Sequence, residues 1–195
     1  KVSFSAHTQW GRMPHEVIAE VNQELYRFIG DTDYYLSAYY GMIDLEKGIF
    51  HYSNAGHHPA LVYRAGEDQI ISLDTQGFFI GSFEEVPYES KSFSLRKRDR
   101  IILITDGIVE TRNPQGEFFE YDRFHDAILS SSNLSPEEFT TSVIDRVEKF
   151  AQGLAANDDR AIFCVDFLGQ PKSEEETSQM FKTAIYLMKN RQYEE

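Results

Sequence analysis

The chain has 195 residues, 41% hydrophobic and 14% aromatic, and its 19 Lys+Arg against 32 Asp+Glu give a formal net charge of −13. That apolar content excludes disorder for most of the chain, and the length suits one domain around one core. The acidic excess disfavours nucleic-acid backbones and anionic membranes as partners. No apolar run approaches the roughly 20 residues of a membrane span, so a soluble, cytoplasmic protein with no membrane contact is expected.

Taken in chain order, residues 1–10, "KVSFSAHTQW", read as the end of an earlier helix. Met13-Pro14 then opens a segment with Val17, Ile18, Val21, Leu25 and Phe28 at helical spacing, and Gly30 is its natural stop. From residue 34 the period changes. The stretch 34–66 is rich in Tyr, Ile and Val and is broken at Glu46-Lys47-Gly48 and Ala65-Gly66-Glu67, which predicts a meander of antiparallel strands. Further strands are predicted near 69–73, 88–95 and 100–105, helices over 121–131 and 136–152, and a last strand over 160–168. The second of these helices carries a capping-box signature in Ser135 and Glu138. Residues 170–195 combine a polar linker with an amphipathic segment containing Phe181, Ile185, Leu187 and Met188. Runs of strands with segregated helices argue an α+β fold.

Chemistry is sought where strands end. Ile101-Ile102-Leu103-Ile104 runs into Thr105-Asp106-Gly107, and Asn157-Asp158-Asp159 precedes the final strand. If those strands are antiparallel neighbours, Asp106 and Asp158 share one rim of the sheet. Two close carboxylates repel unless a cation lies between them, and hard ions such as Mg²⁺ or Mn²⁺ are the natural occupants. Gly107 and Asp159 are the accessory positions, Gly107 by allowing a tight turn and close approach of a ligand. A plain turn and a plain loop are the bland alternatives. The pair His57-His58 in "NAGHHPAL" invites a zinc site, but there is no Cys cluster or HExxH motif beside it, and a structured turn built on Gly56 is the better reading.

Four stretches together resemble one family: "YYLSAYYGMIDLEKGIFHYSNAGHHPALVYRAG", "FFIGSFEEVPYES", "LRKRDRIILITDGIVETRNPQGEFF" and "NDDRAIFCVDF". Their order and spacing are similar to the sporulation-stage-II-E and sigma-factor-regulator branch of the PPM (protein phosphatase 2C-like) metal-dependent serine/threonine phosphatases. The resemblance covers residues 1–169. It implies two packed antiparallel β-sheets flanked by helices, with two Mn²⁺ or Mg²⁺ ions at one rim and water attacking the phosphorus of a phosphoserine or phosphothreonine. By position, Asp106 and Asp158 resemble two of the family's metal-binding aspartates. The implied partner is a phosphoprotein substrate of the anti-sigma-factor-antagonist kind.

The family's other metal ligands lie in a "GGDfyD"-like strand and a "DvsGHG"-like motif, and neither occurs in these 195 residues. The resemblance therefore implies an N-terminally incomplete domain, about its C-terminal two-thirds, with impaired activity. The alternative is a degenerate, non-catalytic phosphatase-fold module that binds or scaffolds. An incomplete front would leave a sheet edge unpaired, and self-association is expected from it. The tail "FKTAIYLMKNRQYEE" resembles the start of a tetratricopeptide (TPR) repeat.

Overall fold

The computed structural model describes residues 12–29, 34–156 and 158–170. Four layers stack as helix, sheet, sheet, helices. Helix α1 (Pro14–Ile29) starts on its proline, carries Glu16 in the first turn and Arg27 in the last, and presents a stripe of Val17, Ile18 and Val21, each fully buried. That stripe covers the outer face of a three-stranded sheet built from β1 (Ala38–Asp44), β2 (Ile49–Ala55) and a later strand, β5 (Lys91–Ser94), in the order β1-β2-β5. The second sheet contains β3 (Ala60–Arg64), β4 (Gln69–Leu73), β6 (Asp99–Ile104) and β7 (Ile162–Asp166), in the order β4-β3-β6-β7. All pairings are antiparallel.

The two sheets meet face to face through Phe50 and Tyr52 on one side and Ala60, Val62, Leu73 and Ile101 on the other. The outer face of the four-stranded sheet is covered by α3 (Glu120–Ser130) and α4 (Pro136–Ala151), which follow a one-turn α2 (Asp106–Val109). Strand β6 is thus buried on both faces, with Ile102 and Ile104 toward the helices and Ile101 toward the other sheet. This explains the unbroken apolar run, which antiparallel strands with one wet face do not show. Helix α4 is set by its sequence: Phe139, Val143, Val147 and Ala151 recur every four residues on the buried face. At its start, the Ser135 N–H donates to Glu138 Oε2 at 3.0 Å while Ser135 Oγ accepts from the Glu138 N–H at 3.4 Å.

The α+β arrangement of two helix-flanked antiparallel sheets agrees with expectation, and two local readings need correction. The 34–66 stretch is not one meander. It crosses from the first sheet to the second between β2 and β3, because Gly56 takes a left-handed φ of 72° and redirects the chain. The expected break at Ala65-Gly66-Glu67 is the turn between β3 and β4, with a left-handed φ of 50° at Asp68. The strand over 88–95 shortens to Lys91–Ser94. Among the described residues β1 and β5 each pair with β2 alone and form the two edges of that sheet. The expected stop at Gly30, the segment 1–10 and the TPR-like tail lie outside the described residues, as does nearly all of the expected 170–195 unit.

Candidate functional site

The registers decide what meets at each end of the four-stranded sheet. Ala60 pairs with Leu73, Leu61 with Ile102 and Ile104 with Ile162. One rim therefore gathers the residue after β4 (Asp74), the turn before β3 (Gly56 to Pro59), the residues after β6 (Thr105, Asp106) and those before β7 (Asp158, Asp159). The two aspartates singled out in the sequence arrive together, as the antiparallel argument requires.

Asp106 does not end its strand in a glycine turn. It opens α2, and Gly107, Ile108 and Val109 behind it are buried. Thr105 occupies the N-cap position without capping: its Oγ1 donates instead to the carbonyl of Asp159 at 2.7 Å and accepts the N–H of Ala161 at 2.8 Å. The Thr105 N–H adds a bond to the Ala161 carbonyl at 3.1 Å. These three bonds tie the end of β6 to the lead-in of β7. Sequence reading missed Thr105, although a hydroxyl immediately before an aspartate at a strand end is the available signal.

Gly107 acts through space rather than through turning. A Cβ placed on it would collide with the carbonyl oxygen of Asp159 and lie 3.1 Å from that of Asp158. The backbone of 158–159 thus packs directly on Gly107, in room that any other residue would fill. Each carboxylate orders its own backbone: Asp106 Oδ1 accepts the Gly107 N–H at 2.9 Å and Asp158 Oδ1 the Asp159 N–H at 2.7 Å. Asp106, Asp158 and Asp159 are all solvent-exposed. Among the described residues none of the three has a Lys, Arg or His at ion-pair distance, and no group of three or more His, Cys, Asp or Glu is gathered as a metal cluster.

The histidine turn is a knot of hydrogen bonds. Buried Asn54 accepts the His57 N–H at 2.9 Å and donates to the His57 carbonyl at 2.7 Å and to Asp74 Oδ1 at 2.6 Å. Thr75 Oγ1 accepts the Asn54 N–H at 2.7 Å. The two imidazoles stand almost perpendicular, at 85°. His57 Nδ1 lies 2.9 Å from the His58 carbonyl, and His58 Nδ1 lies 2.8 Å from the Tyr121 hydroxyl on α3. The turn is structural, yet it stands on the same rim as the carboxylates, a neighbourhood that sequence spacing did not reveal.

The family model for stage II sporulation protein E (SpoIIE) matches residues 2–168. The curated protein phosphoserine phosphatase RsbU of Bacillus subtilis (strain 168) is 24% identical over 159 residues, which is 82% of this chain and 47% of that protein. The chain thus spans about half the length of that relative. Two solved structures share the fold. The SiaA-PP2C domain of Pseudomonas aeruginosa superposes with a TM-score of 0.70 at 16% identity, over 80% of this chain and 61% of that one. The Mn-presoaked phosphatase domain of SpoIIE from Bacillus subtilis gives 0.61 at 18% identity, over 89% and 74%.

Proposed function

Since the chain belongs to the stage II sporulation protein E (SpoIIE) family, we propose that it forms the greater part of a domain that removes phosphate from phosphoserine or phosphothreonine of a partner protein in cytoplasmic bacterial signalling. The observation that carries this reading is the rim itself, where Thr105 and Gly107 lock the Asp106 and Asp158 segments together. Exposed carboxylates brought to one rim, with no basic side chain at ion-pair distance among the described residues, suit a cation between them. The donors are all carboxylate oxygen, which suits Mg²⁺ or Mn²⁺ and not a thiolate- or imidazole-seeking ion. The name of the relative RsbU and the Mn-presoaked SpoIIE phosphatase domain point the same way.

Asp106 and Asp158 would hold the ion, and further ligands would come from outside the described residues. A divalent cation held there would offset the charge of phosphoryl oxygens and lower the pKa of a coordinated water. The residues of this chain hold the geometry. Thr105 fixes the distance between the two strand ends, Gly107 keeps the 158–159 backbone close, and the Asp106 and Asp158 carboxylates are oriented by the N–H groups of the residues that follow them, Gly107 and Asp159. No side-chain nucleophile is required, consistent with a rim that offers carboxylates rather than an activated Ser or Cys. The sigma-factor-regulator resemblance supports an anti-sigma-factor antagonist as the phosphoprotein.

The alternative is a phosphatase-fold module that binds without hydrolysing. Phosphate release from a serine-phosphorylated antagonist, with Mn²⁺ and then with EDTA, separates the two. Metal-dependent release by the intact protein supports the phosphatase, and persistence of release in EDTA overturns it.

A further inference from the structure

The molecule carries a cluster of exposed aromatic side chains that the rim chemistry does not use. Tyr34, Tyr35, Phe78 and Phe83 keep 77%, 61%, 58% and 57% of their surface in solvent. The rings pair off, Tyr35 with Phe79 at 4.8 Å and Phe78 with Phe83 at 5.9 Å between centroids. Singly exposed aromatics are ordinary, but a contiguous group marks a surface built for contact.

The loop bearing most of these rings is held in one shape. Asn22 on α1, 1% exposed, donates from Nδ2 to the carbonyls of Phe83 and Glu84 at 3.0 and 3.1 Å and accepts the Gly81 N–H at 2.8 Å. Leu36 and Ile80 exchange both backbone hydrogen bonds and pin the other side. A buried amide that spends its hydrogen bonds on loop shape presents the aromatics in a fixed arrangement, which lowers the entropy cost of docking.

The position of the loop tells what docks. The Phe79 ring lies on Gly56, where a Cβ would come within 2.6 Å of it, and Gly56 opens the turn that carries His57 and His58 to the rim. The aromatic loop therefore packs against the histidine turn of the rim. Beside it, Gln23, Arg27, Glu84 and Glu85 line a notch of about 160 Å³, in a chain of net charge −13.

We propose that this surface docks the phosphoprotein substrate, a folded protein whose face beside the phosphoserine offers an apolar patch with a Lys or Arg for the Glu84–Glu85 notch. The proposal rests on the phosphatase reading and supplies what the rim lacks. Every phosphoserine offers the same phosphate, so discrimination between phosphoproteins has to come from contacts beyond it, and aromatic anchors in a fixed loop carry most of such energy.

Docking is isolated in EDTA, where the proposed hydrolysis does not run. The probe is a fluorescently labelled, serine-phosphorylated anti-sigma-factor-antagonist domain, titrated with the full chain. The double variant Phe78→Ser/Phe83→Ser is expected to weaken binding by about tenfold or more, and Glu84→Lys/Glu85→Lys by a smaller, salt-dependent factor. Melting temperature and Mn²⁺ affinity should stay at wild-type values, since all four side chains lie outside the core and away from the rim carboxylates. Unchanged affinity in both variants overturns the proposal, as does absence of wild-type binding. A concentration-dependent dimer that Phe78→Ser/Phe83→Ser dissolves overturns it too, because the surface then belongs to a second copy. Hydrolysis of p-nitrophenyl phosphate by the wild type with Mn²⁺ reports separately on the phosphatase reading, so the two can fail independently.

Discussion

The two ends of the four-stranded sheet treat charge in opposite ways. At the far end, Asp99 is 1% exposed and receives a two-pronged contact from Arg64, at 3.1 and 2.7 Å, plus the Arg96 N–H at 2.9 Å. Arg100 binds Asp166 through two bonds of 2.6 and 2.8 Å and stacks over Phe139 at 4.8 Å. Both are cross-strand register partners, Arg64 opposite Asp99 and Arg100 opposite Asp166. At the rim, Asp106 and Asp158 flank the other ends of β6 and β7 with no basic side chain at ion-pair distance among the described residues. One end spends its carboxylates on holding β3, β6 and β7 together. The other holds its backbone with Thr105 and Gly107 instead, which leaves the carboxylates available to an external cation.

Exchanging the roles of the ends tests this contrast. The largest expected effect is on activity. Asp106→Asn in the intact protein should lower Mn²⁺-dependent phosphate release by more than about 100-fold, since even outer-shell changes around a metal cost 10–100-fold, with the melting temperature nearly unmoved. At the far end the same kind of change should act on stability. Asp99→Ala strands the Arg64 guanidinium in the interior and should cost about 3–5 kcal/mol in urea unfolding. Comparable activity loss from Asp99→Ala at temperatures where it is fully folded would erase the distinction between the ends.

Gly107→Ala should fall between the two. Its Cβ must displace the Asp159 carbonyl, at a cost of about 1–3 kcal/mol as for other overpacked sites, and Mn²⁺ affinity should fall with it. Binding measured by isothermal titration beside a urea curve tests both halves.

Much of this was legible in the sequence, for identifiable reasons. The strand β6 and its terminal aspartate stood out because burial on both faces demands a continuous apolar run, and α4 because its cap and its four-residue stripe are local signals. The crossing between sheets at Gly56 was not, since the Tyr-, Ile- and Val-rich stretch reads as one meander and only the partner strands tell which sheet each strand joins. The arginine clamps escaped for the same reason: nothing in "RKRDR" announces that Arg100 faces Asp166 across 66 positions of chain. Gly107 reads as a tight turn open to close approach, and what approaches it is the backbone of 158–159, which depends on where that segment passes.

The smallest expected effect is a pH dependence at β7. Burial among Ile102 and its neighbours pushes the Cys164 thiol up to about 12, opposed by Arg100 and reinforced by Asp166. A raised folded-state value means that the stability linked to this group is complete below its unfolded value of about 8.5 and is lost as pH rises toward the folded one. Cys164→Ala should therefore flatten the decline of stability above pH ~8.5. At neutral pH the wild-type thiol should react slowly with iodoacetamide until the chain unfolds. Fast labelling of the folded protein would show that this part of the sheet is open.

The central claim is that the rim carboxylates exist to hold a divalent cation, and Mn²⁺ binding followed by electron paramagnetic resonance tests it most directly. For the 195-residue chain, two carboxylates predict weak binding, with a dissociation constant of about 0.1–1 mM by analogy with low-charge oxygen sites. Asp106→Asn and Asp158→Asn should each weaken it at least about tenfold, while Asp99→Asn at the opposite end should leave it unchanged. Binding that survives both rim substitutions would contradict the account.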